Sequence, residues 1–357
     1  MKILLLQPGP AKLDLFGDVC GHSVTRVGAG EKTGWRHFFR LLRQFQEDPP
    51  ELVLVTQREF CCLPPRAGWL QGGLAFLQCF GKNPVDFFIL CFFAQAVRKQ
   101  LPIALINRSD NGRLLPGSDW FYRRSHACFV RELHPQPEIA LQHLYTPTGG
   151  NPQTNRRARK VLSWIDPACP AHRDLEKLRP ISLGVLPESL LQIRPRPIKE
   201  WDVFFAGDLH EKGLRGKLVE ELRALSSRAG WKILLKERMP LPEYLQTVAS
   251  SWLCLSPPGM GWDCWRHYEA MLAGSIPLMT YPVIYQHKAA VDGEHCFYFS
   301  PDRGGLTRCL EKIMAHRELF PKIAQSAREL VLQEHTFAKL EEYVIRETLA
   351  AHSMAKA

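Results

Sequence analysis

Three observations predict two α/β domains in tandem. The chain has 357 residues, enough for two such domains. Short apolar runs alternate with segments of helical spacing in both halves. Between the halves, Arg194-Pro195-Arg196-Pro197 reads as an extended linker, because alternate prolines oppose both helix and sheet pairing.

In the first half, Lys2–Gln7 reads as a strand and Trp35–Phe45 as a helix, with Phe38, Phe39, Leu41, Leu42 and Phe45 at helical spacing. Leu52–Thr56 reads as a strand. Val85–Phe93 is a continuous apolar run, expected of a central parallel strand buried on both faces. Ala94–Gln100 follows as a short helix and Ile103–Asn107 as a strand, while Ala127–Val130 and Ile181–Leu183 are weaker strand candidates. The stretch 146–179 is irregular and reads as an insertion. In the second half the strands are Trp201–Phe205, Lys232–Lys236, Trp252–Leu255 and Ile276–Met279. The helices between them are Arg215–Arg228 and Pro242–Ser250, and three more fall within Gly305–Ala315, Phe320–Glu334 and Phe337–Ala351. Each half is thus Rossmann-like, a doubly wound parallel sheet, with a cleft expected at the carboxyl ends of both sheets. The expected bounds are 1–195, 196–335 and a terminal helix over 336–357.

Composition, at 45% apolar and 23% charged, is that of a globular protein, with no fixed-period repeat. Met1–Leu6 lacks the length and cleavage site of a signal peptide, and Val85–Val97 is too short to span a bilayer. The 11 cysteines are scattered, with no CxxC pair for zinc, which suggests reduced thiols in the cytosol. Residues 1–195 carry 25 Lys and Arg against 16 Asp and Glu, and the remainder carries 21 against 20. A basic excess confined to one half points to an anionic partner, or to a solvated basic surface. Its densest piece is Arg156, Arg157, Arg159 and Lys160.

The most informative stretch is SPPGMGWDCWRHYEAMLAGSIP, Ser256 to Pro277. It runs from a buried strand through a Pro- and Gly-rich loop into a short helix that Asp263 can cap, and Gly274 ends that helix. A strand, a glycine loop and a helix N-terminus suit an anion, because free N–H groups and the helix dipole point the same way. Arg266 and Glu269 on the helix add a cation for phosphate and an acceptor for sugar or ribose hydroxyls. Arg266 stands where the dipole disfavours a cation unless an anion is bound.

Two Rossmann-like halves with this second-half pattern resemble glycosyltransferases of the GT-B architecture. Asp202–Gly207 resembles the opening of their nucleotide-sugar domain. Ser256–Gly259, Arg266–Ala270 and Gly274–Pro277 resemble exostosin-like transferases and their bacterial relatives, over about 140 residues of the second half. The resemblance implies a nucleotide sugar such as a UDP-sugar as co-substrate, a saccharide or glycolipid acceptor, and polysaccharide biosynthesis. It also implies a terminal helix packing back on the first domain. Many retaining members place two glutamates eight positions apart here. Glu269 matches the second, but Gly261 stands at the first, which leans toward inversion. No Asp-x-Asp motif is present, so no metal or other cofactor is required.

On this reading the donor site comprises Gly207, Lys212, Arg215, Lys236, Pro258, Gly259, Met260, Gly261, Trp262, Arg266 and Glu269. Lys212 and Arg215 could neutralise a leaving diphosphate, or be solvated helix-start charges. Glu269 on an exposed helix face could accept ribose hydroxyls, or be a solvated glutamate. His22, in the loop after the first strand, and Asp110 are the catalytic-base candidates, both expected at sheet carboxyl ends, with Asp14 and Glu132 behind them. For each, a structural polar residue is the plainer alternative. Gly28–Thr33 lacks the spacing of a P-loop. The expected setting is the cytoplasm, or the inner face of a membrane displaying an anionic acceptor, with nucleic acid not expected as a partner. A nucleotide-sugar epimerase of the same fold and a non-catalytic basic module for nucleic acid or anionic lipid are the alternatives.

Overall fold

The structure is a computed structural model that describes residues 1–7, 21–28, 35–56, 84–108, 110, 112–114, 119–137, 139–141 and 175–356. Two compact units divide the chain. The first comprises Met1–Ile181 with Glu341–Ala357, and the second is Ser182–Leu340.

The first unit contains β1 (Lys2–Gln7), β2 (Ser23–Gly28), α1 (Trp35–Glu47), β3 (Leu52–Thr56), α2 (Pro84–Arg98), β4 (Ile103–Asn107), α3 (Asp119–Arg124), β5 (Ala127–Val130) and β6 (Leu178–Pro180). They form an all-parallel sheet of order β2-β1-β3-β4-β5-β6. Leu4, Leu6, Val53, Val55, Ile103 and Leu105 face one core, joined by Phe38, Phe88 and Phe92 from the helices. Phe38 and Phe88 stack with centroids 4.2 Å apart.

Two expectations fail here and one strand was not foreseen. The run Val85–Phe93 is not a strand but the body of α2. Phe88, Ile89, Phe92, Phe93 and Ala96 are all buried, and their spacing is that of one helix face. A short, wholly apolar run cannot separate a buried strand from a buried helix by periodicity. Strand β2 went unseen because SVTRVG buries only Val27 and Gly28, as a sheet edge does. The strand expected at Ile181–Leu183 lies earlier, at Leu178–Pro180.

The second unit opens with α4 (Pro187–Gln192) and continues β7 (Trp201–Ala206), α5 (Leu214–Ala229), β8 (Ile233–Lys236), α6 (Leu241–Ala249) and β9 (Ser251–Leu255). Next come α7 (Trp265–Leu272), β10 (Ile276–Thr280), β11 (Phe297–Phe299), α8 (Gly305–Met314) and α9 (Phe320–Glu334). Its sheet is parallel, of order β11-β10-β9-β7-β8. Val203 and Phe205 enter one core while Phe204 and Ala206 enter the other. Burial on both faces is why this strand reads as a continuous apolar run. The chain goes from β7 out to β8, then returns to β9 on the other side of β7. The switch point of the sheet therefore lies between β7 and β9, and ligands of open α/β sheets bind at the carboxyl ends there.

Helix α10 (Phe337–Lys356) ends the chain. Its Tyr343 packs edge-to-face on Phe129, with centroids 5.4 Å apart, and donates to the Pro180 carbonyl at 3.1 Å, within the first unit. Among the described residues, no helix is long and apolar enough to cross a membrane.

His335 gives the second unit an acid-sensitive fastening. It is buried, with Nδ1 2.9 Å from the Ser182 hydroxyl and Nε2 3.0 Å from the Lys288 carbonyl. The carbonyl only accepts, so Nε2 carries the proton and Nδ1 accepts from Ser182. Burial, reinforced by the charge of His287, lowers the imidazole to about 3. An unfolded histidine titrates near 6.5, so as pH falls from there toward 3 the unfolded chain binds the extra proton and stability is lost. That proton costs up to about 1.4 kcal/mol per pH unit. Denaturant unfolding at pH 6.5 and 4.5 should show the wild type losing about 2 kcal/mol more than His335→Asn. Equal losses in the two proteins would contradict this role.

Candidate functional site

The β7 and β9 carboxyl ends carry most of the residues that the sequence nominates. Gly207 follows β7 and donates to the Lys236 carbonyl at 3.1 Å, beside the end of β8. Pro258, Gly259, Met260 and Gly261 form the loop after β9, where Gly259 N–H donates to the Gly261 carbonyl at 2.9 Å and Met260 is 89% exposed. Arg215 joins the two loops, its Nε and Nη2 donating to the Pro258 carbonyl at 3.3 and 3.2 Å. Lys212 and Lys236 are exposed. A polar hollow of about 350 Å³ beside the start of α5 is lined by His210, Glu211, Lys212 and Lys217. A larger cavity, about 450 Å³, lies against β11 and α8 and includes none of the nominated residues.

Helix α5 does not offer its N-terminus to an external anion. Glu211 fills it, accepting from the N–H groups of Gly213 at 2.7 Å, Arg215 at 3.1 Å and Gly216 at 3.4 Å. Gly216 permits this close wrap, because a Cβ there would lie 1.9 Å from the Glu211 carbonyl oxygen. The sequence reading missed Glu211, although a carboxylate just before a helix start is a capping signal. Helix α7 is different: Cys264 is its N-cap and makes no side-chain bond to the first-turn N–H groups.

Arg266, in the first turn of α7, reaches back to the end of β7. Its guanidinium lies over the Phe205 ring, 5.3 Å from the centroid, with Nη2 3.5 Å from the Ala206 carbonyl. Arg266 and Arg215 thus reach the loops at the switch point, from the starts of α7 and α5, while Lys212 lines the hollow beside Glu211.

Other nominated side chains are placed differently from the expectation. Glu269 is not on an exposed face: it is 6% exposed and accepts from the Ser189 hydroxyl at 3.3 Å. The cause is packing, since α7 contacts α6, α9 and β10 and every residue from His267 to Leu272 is buried. Burial raises the Glu269 carboxyl above its ordinary value, against the pull of Ser189 and the Arg266 charge. Asp263 does not cap α7. It is buried, accepting from Leu183 N–H at 2.8 Å and from the Tyr268 hydroxyl at 2.6 Å. Trp262 is also buried, with Nε1 3.3 Å from the Thr280 carbonyl, so its ring packs under the loop.

A Cys–Ser–His cluster at this point was not foreseen. Cys264 Sγ lies 3.5 Å from Ser256 Oγ and 3.6 and 3.7 Å from the two nitrogens of His267. Burial pushes the Cys264 thiol up, but the charge and hydrogen bond of His267, helped by Arg266 and Ser256, outweigh it and bring it to about 7. His267 is correspondingly raised, burial being outweighed by Cys264 and Asp263. The Cys-x-x-His spacing on one helix was the available signal.

In the first unit, Asp110 follows β4 at the carboxyl end of its sheet and pairs with Arg131, which is buried and also lies 3.3 Å from the Glu132 carboxylate. His22 is at the opposite end. It precedes β2, whose first N–H donates to the Met1 carbonyl at 3.0 Å, so it stands at the amino edge of the sheet. The unseen strand β2 is what misplaced it. Asp14, residues 29–33 of the glycine stretch, and Arg156 to Lys160 lie outside the described residues. Among the described residues, no group of three or more His, Cys, Asp or Glu is arranged to hold a metal ion.

Comparison with known proteins bears on the same segment. Residues 207–292 match the family model described as RXYLT1 C-terminal domain. No curated protein matches the chain in sequence. Among solved structures, a glycosyltransferase from Rickettsia africae ESF-5 is similar in fold, with TM-score 0.54, 9% identity and 98% of each chain covered. An alpha-glucosyltransferase in complex with UDP and a 13-mer DNA is similar too, with TM-score 0.52, 9% identity, and 99% of this chain and 100% of that chain covered. The chain has the α/β fold, with two parallel sheets, of GT-B glycosyltransferases.

Proposed function

We propose that the chain is a glycosyltransferase that moves a sugar from a nucleoside diphosphate to an acceptor hydroxyl. The observation that carries this reading is that Arg266 and Arg215 both reach the loops at the switch point of the second sheet, with Lys212 in the loop before α5, inside the segment that matches the RXYLT1 C-terminal domain. Cations fixed where negative charge develops stabilise a departing diphosphate without reorganising at the moment of reaction. They take the place that a metal ion would fill, so transfer is expected to proceed without one. UDP, present in the alpha-glucosyltransferase structure, is the first nucleotide to try.

As the anomeric C–O bond to the diphosphate breaks, the bond to the acceptor oxygen forms and a base removes the hydroxyl proton. Asp110 is the base we propose, being the nominated carboxylate at a sheet carboxyl end, with Arg131 orienting it. Asp110→Asn should lower kcat by about 100-fold or more with little change in KM for the donor. Equal kcat in the variant would exclude Asp110 as the base. Because Gly261 stands eight positions before Glu269, we read the transfer as inverting, and NMR of the product's anomeric coupling tests it directly.

The experiment for the function itself is a thermal-shift panel of nucleoside diphosphates and nucleotide sugars, with and without chelator. A ligand that binds only the folded chain raises its melting temperature by mass action. One nucleotide family should do so with chelator present, and no shift from any of them would remove the reading. The basic first half favours an anionic acceptor or a negative membrane surface. Acceptor KM should therefore rise with ionic strength more steeply than donor KM, since exposed charges are screened over about 8 Å at physiological salt. Flat dependence for both substrates would indicate a neutral acceptor.

A further inference from the structure

We propose that Cys264 is a thiol–disulfide exchange site, its thiolate supported by a proton relay through Ser256 to His267. The inference concerns the second unit alone and does not depend on the donor reading.

The relay is set by its end. His267 Nε2 lies 2.9 Å from the Trp262 carbonyl, which only accepts, so Nε2 carries a proton. Nδ1 lies 2.7 Å from Ser256 Oγ and in the neutral ring accepts from that hydroxyl. Cys264 S–H can then donate to Ser256 Oγ, 3.5 Å away. When the proton shifts along this line, Nδ1–H donates to Ser256 and the Ser256 hydroxyl donates to the thiolate. No hydrogen bond is lost, so a thiolate–imidazolium pair forms with its partners already in place. The position adds to this, because Cys264 is the N-cap of α7 and the helix dipole favours negative charge there. Arg266, two residues on, contributes a further cation.

Access and contrast complete the case. Cys264, like Cys91 and Cys309, is partly exposed, while Cys128, Cys254 and Cys296 are buried; what sets Cys264 apart is its contact with Ser256 and His267. Burial pushes the thiols of Cys254 and Cys296 up to about 12, and that of Cys309 to about 11. The chemistry is ordinary exchange: the Cys264 thiolate attacks one sulfur of a small disulfide, a new S–S bond forms, and the old one breaks. Cys264 is oxidised to the mixed disulfide, half of the small disulfide is reduced, and the departing thiolate takes up a proton. The adduct would add bulk to the loop that leads into Arg266.

The test uses the full native chain with oxidised glutathione, following each cysteine by peptide mass spectrometry. Cys264 should form the mixed disulfide at least about tenfold faster than Cys254, Cys296 and Cys309. His267→Asn and Ser256→Ala, checked for unchanged thermal melting, should each slow that adduct by about tenfold. Cys264 reacting no faster than Cys254, Cys296 and Cys309 in the wild type would overturn the proposal without any variant. So would an undiminished rate in both folded variants.

Discussion

Replacing Arg266 by alanine is expected to weaken nucleoside-diphosphate binding by about 10- to 100-fold. A charge-assisted hydrogen bond contributes about 1.5–3 kcal/mol, and the larger loss applies where the cation is already held in position. Arg266 is so held: its guanidinium lies 5.3 Å over Phe205 and its Nη2 faces the Ala206 carbonyl. It therefore spends little conformational entropy on meeting a phosphate. Arg266→Lys should recover only part of the loss, because an ammonium cannot keep both the ring contact and a forked phosphate contact. Calorimetric titration checks both variants. Unchanged affinity in Arg266→Ala would place the diphosphate elsewhere.

Asp263→Ala should have the largest effect on stability, about 3–5 kcal/mol, because two buried donors lose their acceptor at once. These are Leu183 N–H, at 2.8 Å, and the Tyr268 hydroxyl, at 2.6 Å. The bond to Leu183 spans 80 residues and ties the entry of the second unit to the loop before α7. Asp263→Asn keeps one acceptor oxygen and should cost clearly less. Urea unfolding measures the difference, and a loss under about 1 kcal/mol in Asp263→Ala would show that these groups find other partners.

The two units differ in how far they could be read from residues alone. The inner strands β7, β9 and β10 of the second sheet were legible because they are buried on both faces and bounded by turn residues, so that WDVFFA and SWLCL stand out as apolar runs, whereas the short edge strand β11 went unseen. The same signal misled at Pro84–Arg98, where the helix is apolar around most of its circumference and its period is hidden. Strand β2 left almost no signal, since only its last two residues are buried. That omission carried His22 to the wrong end of the sheet. The glycine loop and Arg266 were legible as a chemical pattern joining a strand to a helix N-terminus. Burial of Glu269 and Asp263 was not, because it depends on α6, α9 and the segment near Leu183, distant in sequence. Cys264 and His267 stood three apart in plain view, but their meaning needed Ser256, brought in from the end of β9.

Hydrogen exchange of the full chain, with and without the nucleoside diphosphate that gives the largest thermal shift, tests the central claim most directly. The account predicts slowed exchange in two segments of the second unit, from Gly207 to Gly216 and from Pro257 to Glu269. Binding with protection confined to other segments, or no binding by any nucleoside diphosphate, would contradict it.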